Sequence, residues 1–241
     1  MMDYVDLLGA AGPFADKLPG FSVREQQQEL AAKIAEALDN HEVLVAEAGT
    51  GTGKTFAYLV PALMSGKRIL ISTGTKNLQD QLFHRDLPAV RDTLGMPVKV
   101  ALLKGRANYL CRHRLSLLMH NAQGLFDSRQ DVKELEHIRA WSSETRSGEI
   151  AELSAVPETS PVWAQVTSTA DNCLGQECPE YSRCHVLEAR RRAQEADMVV
   201  INHHLLLADM LRKEEGFGAL LPGADAVIVH EAKKLPEIAT Q

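Results

Sequence analysis

No apolar run in the 241-residue chain approaches the length of a membrane span, which takes about 20 residues. The first residues, MMDYVDLLGAAGPFADKLPGF, lack the basic n-region of a signal peptide. Excess positive charge is also missing: 26 Lys and Arg stand against 32 Asp and Glu, a net −6. Whole-chain attraction to nucleic acid is therefore excluded, and any such binding must come from local basic patches. Internal repeats and low-complexity segments are absent. Cysteine is scarce, with four residues in all. These absences predict a cytoplasmic protein with no membrane partner and reduced thiols, in which four cysteines point to a metal site rather than to disulfides. The hydrophobic content of 45% and charged content of 24% suit a globular protein. The length allows one large domain, or one domain carrying an insertion.

The stretch that organises the rest runs from Val43 to Thr55, VLVAEAGTGTGKT. A short apolar run (43–46) reads as a strand, the glycine-rich loop as a phosphate cradle, and Lys54 onward as a helix. Glycines let successive backbone N–H groups turn inward around a polyphosphate, and the helix adds its positive N-terminal end. Ala48, Gly49, Thr50, Gly51, Thr52 and Gly53 form the loop. Lys54 is placed to reach the β- and γ-phosphates of ATP and Thr55 to ligate Mg2+. The first position of the G-x-x-x-x-G-K-S/T pattern is Ala48 here, a tolerable methyl group. The pattern marks a nucleoside-triphosphate site.

Around this loop the chain alternates between helical and strand-like stretches. Residues 1–20 read as a loosely structured lead-in ending at Pro19-Gly20. A helix is predicted over Arg24–Leu38, then the strand 43–46, a helix over 54–65, a strand at Arg68–Ser72, a helix from Thr75 to Phe83, and a strand at Val98–Leu103. Strands return at Met198–Asn202 and Ala226–Val229. Alternation of this kind predicts an α/β fold with a parallel sheet. Between Lys104 and Arg192 the rhythm is lost. That stretch reads as an insertion with a basic start, an acidic middle and a cysteine triplet.

The cysteines are spaced C-x61-C-x4-C-x5-C: Cys111, Cys173, Cys178 and Cys184. Four thiolates suit an iron–sulfur cluster or an all-cysteine zinc site. The loose triplet with a remote fourth ligand leans toward iron, but spacing leaves both open.

Several stretches together resemble one family. They are Arg24-x-x-Gln27, the loop Glu47–Thr55, Ser72–Leu82 (STGTKNLQDQL), Lys104–Cys111 (KGRANYLC), the cysteine triplet, and Asn202-His203-His204. The chain from about Phe21 onward resembles the iron–sulfur superfamily 2 DNA helicases of the XPD/DinG-like group, and looks most like its bacterial YoaA-like branch. The resemblance implies a RecA-like first motor domain (21–103 with 193–241) carrying an iron–sulfur insertion (104–192). It also implies ATP-driven 5′→3′ movement on single-stranded or forked DNA, a role in repair near the nucleoid, and a 4Fe–4S cluster on Cys111, Cys173, Cys178 and Cys184. Arg24 and Gln27 would recognise adenine. Thr73, Thr75, Lys76 and Gln79 would grip the DNA backbone. Lys104, Arg106, Arg112 and Arg114, with Tyr109 among them, would offer cations for phosphate and a ring for stacking. Asn202-His203-His204 would contact DNA or cap a helix.

Two departures stand out. The second motor motif, Asp-Glu-Ala-His in the family, is His230-Glu231-Ala232-Lys233 here. Glu231 keeps the carboxylate that orients or deprotonates the attacking water. His230 takes the place of the aspartate associated with Mg2+, and an imidazole is a poor partner for a hard cation. Nucleotide binding through Lys54 and Thr55 is predicted to persist while hydrolysis falls. The family's later motor motifs, with the arginine that stabilises transition-state charge, do not occur in these 241 residues. A binding module without productive hydrolysis is thus the alternative to a working helicase portion.

Overall fold

The computed structural model describes residues 3–49, 51–121, 128–214 and 219–240. The chain forms two compact units, one of residues 1–102 with 193–241 and one of residues 103–192.

The first unit opens with two short helices, α1 (Tyr4–Leu7) and α2 (Pro13–Lys17), followed by α3 (Glu25–Asn40) and α4 (Lys54–Met64). Strand β1 (Ile69–Thr73) leads into α5 (Lys76–Gln81), a π-helical turn (Leu82–Asp86), α6 (Leu87–Leu94) and strand β2 (Val100–Leu102). The four strands of the sheet are completed after the second unit by β3 (Met198–Asn202) and β4 (Ala226–Val229). Their order is β2-β3-β1-β4, with every pair parallel; Ile71 stands opposite Val200 on one side and Ile228 on the other. β1 is buried at all five positions, as a strand covered on both faces should be. Two aspartates start the ladder: Asp225 accepts from the Arg68 N–H and Asp197 from the Lys99 N–H, each at 2.8 Å. α4 is apolar from Ala57 to Leu63 and packs on α3 and on the sheet through Leu59, Leu63, Ile69 and Ile71.

Two expectations fail here. The strand expected at 43–46 is not part of the sheet: Val43 and Val45 are 94% and 92% exposed. A parallel strand holds only when it is laddered and covered on both faces, and neither condition is met by this segment. The lead-in expected at 1–20 is not loose, because Leu7, Leu8 and Phe14 are buried in the same core as α3 and α4. Phe14 packs against the rings of Phe21 and Phe56 at 6.0 and 5.8 Å.

The second unit is helical, with α7 (Arg112–Asn121), α8 (Arg129–Ser142) and α9 (Val162–Val166) around a core of its own. Leu115, Ile138, Val162 and Trp163 fill it, and Trp141 meets Trp163 edge-on. α10 (His185–Glu195) leads back toward β3, and α11 (His203–Glu214) and α12 (Leu235–Ala239) complete the helices. Among the described residues no helix is long and apolar enough to cross a membrane.

Candidate nucleotide-binding site

The loop between residue 47 and α4 turns twice through the left-handed region, at Gly51 (φ 79°) and Gly53 (φ 78°). Glycine adopts that backbone without strain. Gly53 is constrained a second way: any side chain there would collide with Gln27. The Gln27 amide donates to the Gly53 carbonyl at 2.9 Å, tying α3 to the phosphate loop. Lys54 Nζ donates to the carbonyls of Ala48 (2.6 Å) and Gly49 (3.1 Å), and the Thr52 hydroxyl to Gly49 (2.9 Å). The loop thus curls around the lysine that was expected to meet phosphate. Thr50 lies outside the described residues.

Beside the loop opens a pocket of about 400 Å3, with Phe21, Arg24, Gln27, Gly53, Thr55 and Phe56 among its walls. Arg24 and Gln27, expected at the nucleotide base, and Gly53 and Thr55, expected at the phosphates, share one cavity. Its size falls within the range of roughly 300–1,000 Å3 typical of small-molecule sites.

Behind the loop, Tyr58 stands one turn after Thr55 on α4. Its phenol lies 3.0 Å from His230 Nδ1 at the end of β4. Burial raises the Tyr58 pKa above its usual value, so the group stays a phenol. His230 is pushed the other way. Burial lowers its pKa, Lys54 and His203 add to that, and Glu231 and Asp86 oppose it. A neutral imidazole has a single acceptor nitrogen, and its Nδ1 here meets the Tyr58 hydroxyl, where a carboxylate would offer two oxygens to a hard cation.

Glu231 follows in the left-handed region, φ 60° and ψ 50°, which is strained for a glutamate. Its carboxylate pairs with Lys234 at 2.7 Å, and that bond holds its pKa below the usual carboxylate range. Lys234 was not singled out in the sequence; an i, i+3 spacing from Glu231 is the signal that could have found it. Lys233 is exposed.

The residues expected to grip DNA divide. Thr75 caps α5, accepting from the Leu78 N–H at 3.2 Å, and with Lys76 is exposed. Gln79 is fully buried with its amide nitrogen toward the Val200 carbonyl, so it has no face for DNA. Asn202 caps α11 through the Leu205 N–H, which favours the capping alternative, and His203 is buried with Nδ1 2.6 Å from the Ser72 hydroxyl.

In the second unit, Arg106 is half-buried and reaches the Thr169 carbonyl. Tyr109 is fully buried, its hydroxyl accepting from the Lys104 N–H at 3.0 Å. Its ring cannot stack on a base from there. Lys104 is likewise no phosphate contact: its ammonium is buried against Glu149 at 3.1 Å. Arg114 donates to the Gln165 and Ala164 carbonyls. Apolar neighbours outcompeted the reading of a basic, aromatic surface.

Two 3-10 turns, Gly175–Glu177 and Tyr181–Arg183, each deliver a cysteine, Cys178 and Cys184. Cys111 and Cys184 immediately precede α7 and α10. Burial raises the Cys111 pKa, backbone N–H groups of Arg114 and His113 oppose it, and charge on Cys178 and Cys184 would raise it further. Cys111 thus feels Cys178 and Cys184 only as minor electrostatic neighbours. Cys173 is exposed. Among the described residues no three His, Cys, Asp or Glu side chains converge closely enough to hold a single metal ion.

The glycine-rich loop at a helix N-terminus beside a parallel sheet has the layout of a phosphate-binding site, and over residues 24–140 the chain matches the DEAD/DEAH box helicase family. Among individual proteins it is 50% identical to the ATP-dependent DNA helicase YoaA of Haemophilus influenzae, over all of this chain and 38% of that protein. Escherichia coli YoaA is 50% identical over 95% of the chain and 36% of its own length. The ATP-dependent helicase DinG of Mycobacterium tuberculosis is 38% identical over 92% of the chain and 36% of its length. The chain thus spans well under half the length of these relatives.

Proposed function

We propose that the chain is the nucleotide-binding motor portion of an ATP-dependent DNA helicase that moves 5′→3′ on single-stranded or forked DNA in repair. The observation that carries this reading is the bond from Gln27 to Gly53. It ties the helix that carries Gln27 to the phosphate loop, so that the two expected ends of a nucleotide face one pocket. ATP would lie with its phosphates along Gly49–Lys54, its Mg2+ at Thr55 and its base near Arg24 and Gln27. Glu231 would hold the attacking water once Lys234 gives up its carboxylate. Lys76 and Arg106 are the remaining candidates for strand phosphates.

Cys111, Cys173, Cys178 and Cys184 would hold a 4Fe–4S cluster, a reading supported by the thiolate chemistry of the four residues and by the family resemblance. Such a cluster cross-links the segment that carries it and stabilises its fold. Cys173, exposed on its loop, would have to fold in to join the others.

One observation favours a second reading, an ATP- and strand-binding element with little hydrolysis: His230, neutral and engaged by Tyr58, stands where Mg2+ needs an oxygen. ATP turnover measured with and without single-stranded DNA separates the two, on anaerobically purified protein whose iron and zinc have been counted. DNA-stimulated turnover establishes the motor. Binding of ATP and strand without turnover establishes the second reading. Failure to bind ATP overturns both, and zinc in place of iron overturns the cluster. Lys76→Ala and Arg106→Ala should each weaken strand binding and reduce its salt dependence by about one counterion.

A further inference from the structure

Gly74 stands in the turn between β1 and α5, where its backbone does not take the left-handed conformation that favours glycine. A neighbour requires it instead. A Cβ at this position would lie 2.6 Å from Cδ of Lys234 and 3.6 Å from both Lys234 Cβ and Glu231 Oε2. The stem of Lys234 therefore crosses the bare backbone of Gly74, and its ammonium ends on the Glu231 carboxylate at 2.7 Å. The strand ends carrying these residues are laced together, because the His230 N–H donates to the Ser72 carbonyl at 2.9 Å.

The turn is tied on its other side to α5. The Thr73 hydroxyl donates to the Thr75 carbonyl at 3.2 Å, and Thr75 caps the helix whose first residue is Lys76. Gly74 thus touches the lysine that occupies Glu231 and lies two residues from the lysine expected at strand phosphate. While Lys234 is in place, one carboxylate oxygen is taken and its charge is countered, which weakens Glu231 as an acceptor for a proton from water. The two side chains are 35% and 32% exposed, and an ion pair in that setting is weak. It holds a resting state without locking it.

We propose that Lys234 is an autoinhibitory counter-ion on Glu231, seated over Gly74, and that single-stranded DNA binding at Thr75 and Lys76 unseats it. The latch presupposes the motor reading above, in which Glu231 holds water and Lys76 meets strand phosphate. A displacement on the scale of one methyl group suffices, because a Cβ at Gly74 already collides with the Lys234 stem.

Amine acetylation of the full chain, read residue by residue by mass spectrometry, tests this without any need for hydrolysis, with the exposed Lys233 as internal reference. In the strand-free chain Lys234 should react about threefold more slowly than Lys233, the scale that an exposed ion pair supports. Glu231→Gln should bring the two rates together by removing the carboxylate. Gly74→Ala should do the same, since its methyl group displaces a flexible side chain rather than backbone. Saturating oligothymidylate, its binding followed by fluorescence anisotropy, should equalise the rates in wild type. Equal rates in strand-free wild type overturn the latch, as does an unchanged ratio in Glu231→Gln. A ratio that stays or widens with oligothymidylate bound overturns release by the strand. A chain that binds no oligothymidylate overturns the strand reading and the release with it, while the two variants still decide the latch.

Discussion

Tyr58 and His230 meet edge-on at the inner end of the nucleotide site, ring centroids 5.5 Å apart and planes at 84°, with the phenol oxygen 3.0 Å from Nδ1. Tyr58 follows Thr55 by one turn of α4, so the phenol stands between the proposed Mg2+ hydroxyl's turn and His230. Restoring the carboxylate should change what this corner binds. In His230→Asp, Mg2+ should tighten ATP binding by about tenfold over wild type, one tenfold step being 1.4 kcal/mol. Titration of ATP with and without Mg2+ measures it. Equal Mg2+ effects in the two proteins would show that His230 is no obstacle.

Gly53 bears two constraints at once. Gly53→Ala meets a left-handed backbone, worth about 1 kcal/mol or more, and a collision with the Gln27 side chain besides. The variant should melt several degrees lower and lose ATP binding. Gly51→Ala meets the backbone constraint alone, with open space around its added methyl group, and should lose less stability. Parallel melting curves check the order, and an equal loss in both would remove the role of the Gln27 contact.

Acid should weaken the first unit. Burial lowers the pKa of His203 and His230, so each favours its neutral form more strongly when folded than when unfolded. The unfolded chain then binds more protons, and stability falls as pH drops. The contribution is full above the unfolded value of about 6.5 and is lost as pH falls through the lowered folded values. Denaturant melts between pH 8 and pH 5 should show the decline, and His203→Asn should flatten it. A wild-type profile level over that interval would contradict the burial argument.

Lys104 and Glu149 make a buried pair, with 3% and 14% of their side chains exposed. Removing one partner leaves the other uncompensated, a loss of about 3–5 kcal/mol in such settings. Lys104→Met should therefore be severely destabilised. The double variant Lys104→Met, Glu149→Leu should regain most of the loss, because an apolar pair of similar size needs no partner. A double-mutant cycle by denaturation supplies the coupling, and additive losses would refute it.

What could be read ahead of the structure follows a physical divide. Local periodicity and loop chemistry carried the helices α3 and α4, the strands at 69–73, 198–202 and 226–229, and the glycine turn before Lys54, since those signals lie within a dozen residues of chain. Burial lies elsewhere. Gln79, Lys104 and Tyr109 look like surface residues by type, and tertiary neighbours distant in sequence, such as Val200 and Glu149, put them inside. Val43 and Val45 err the other way, apolar by composition yet uncovered. The π-helical turn at Leu82–Asp86 was illegible because such a turn has no periodic signature. Cys111, Cys178 and Cys184 were singled out by their scarcity and spacing, a signal that says nothing of how closely the thiols approach in the fold.

The left-handed backbone at Glu231 has a bearing on how this position can drift. Asparagine or glycine would relax the chain there, so random substitution tested for fold stability alone would steer away from glutamate. Such a position behaves as a ratchet held against its spring. Once the carboxylate ceases to matter, stabilising replacements lie one or two base changes away, and the strained side chain should be among the first features to erode. Glu231 is therefore the position at which fold stability and the proposed chemistry pull in opposite directions.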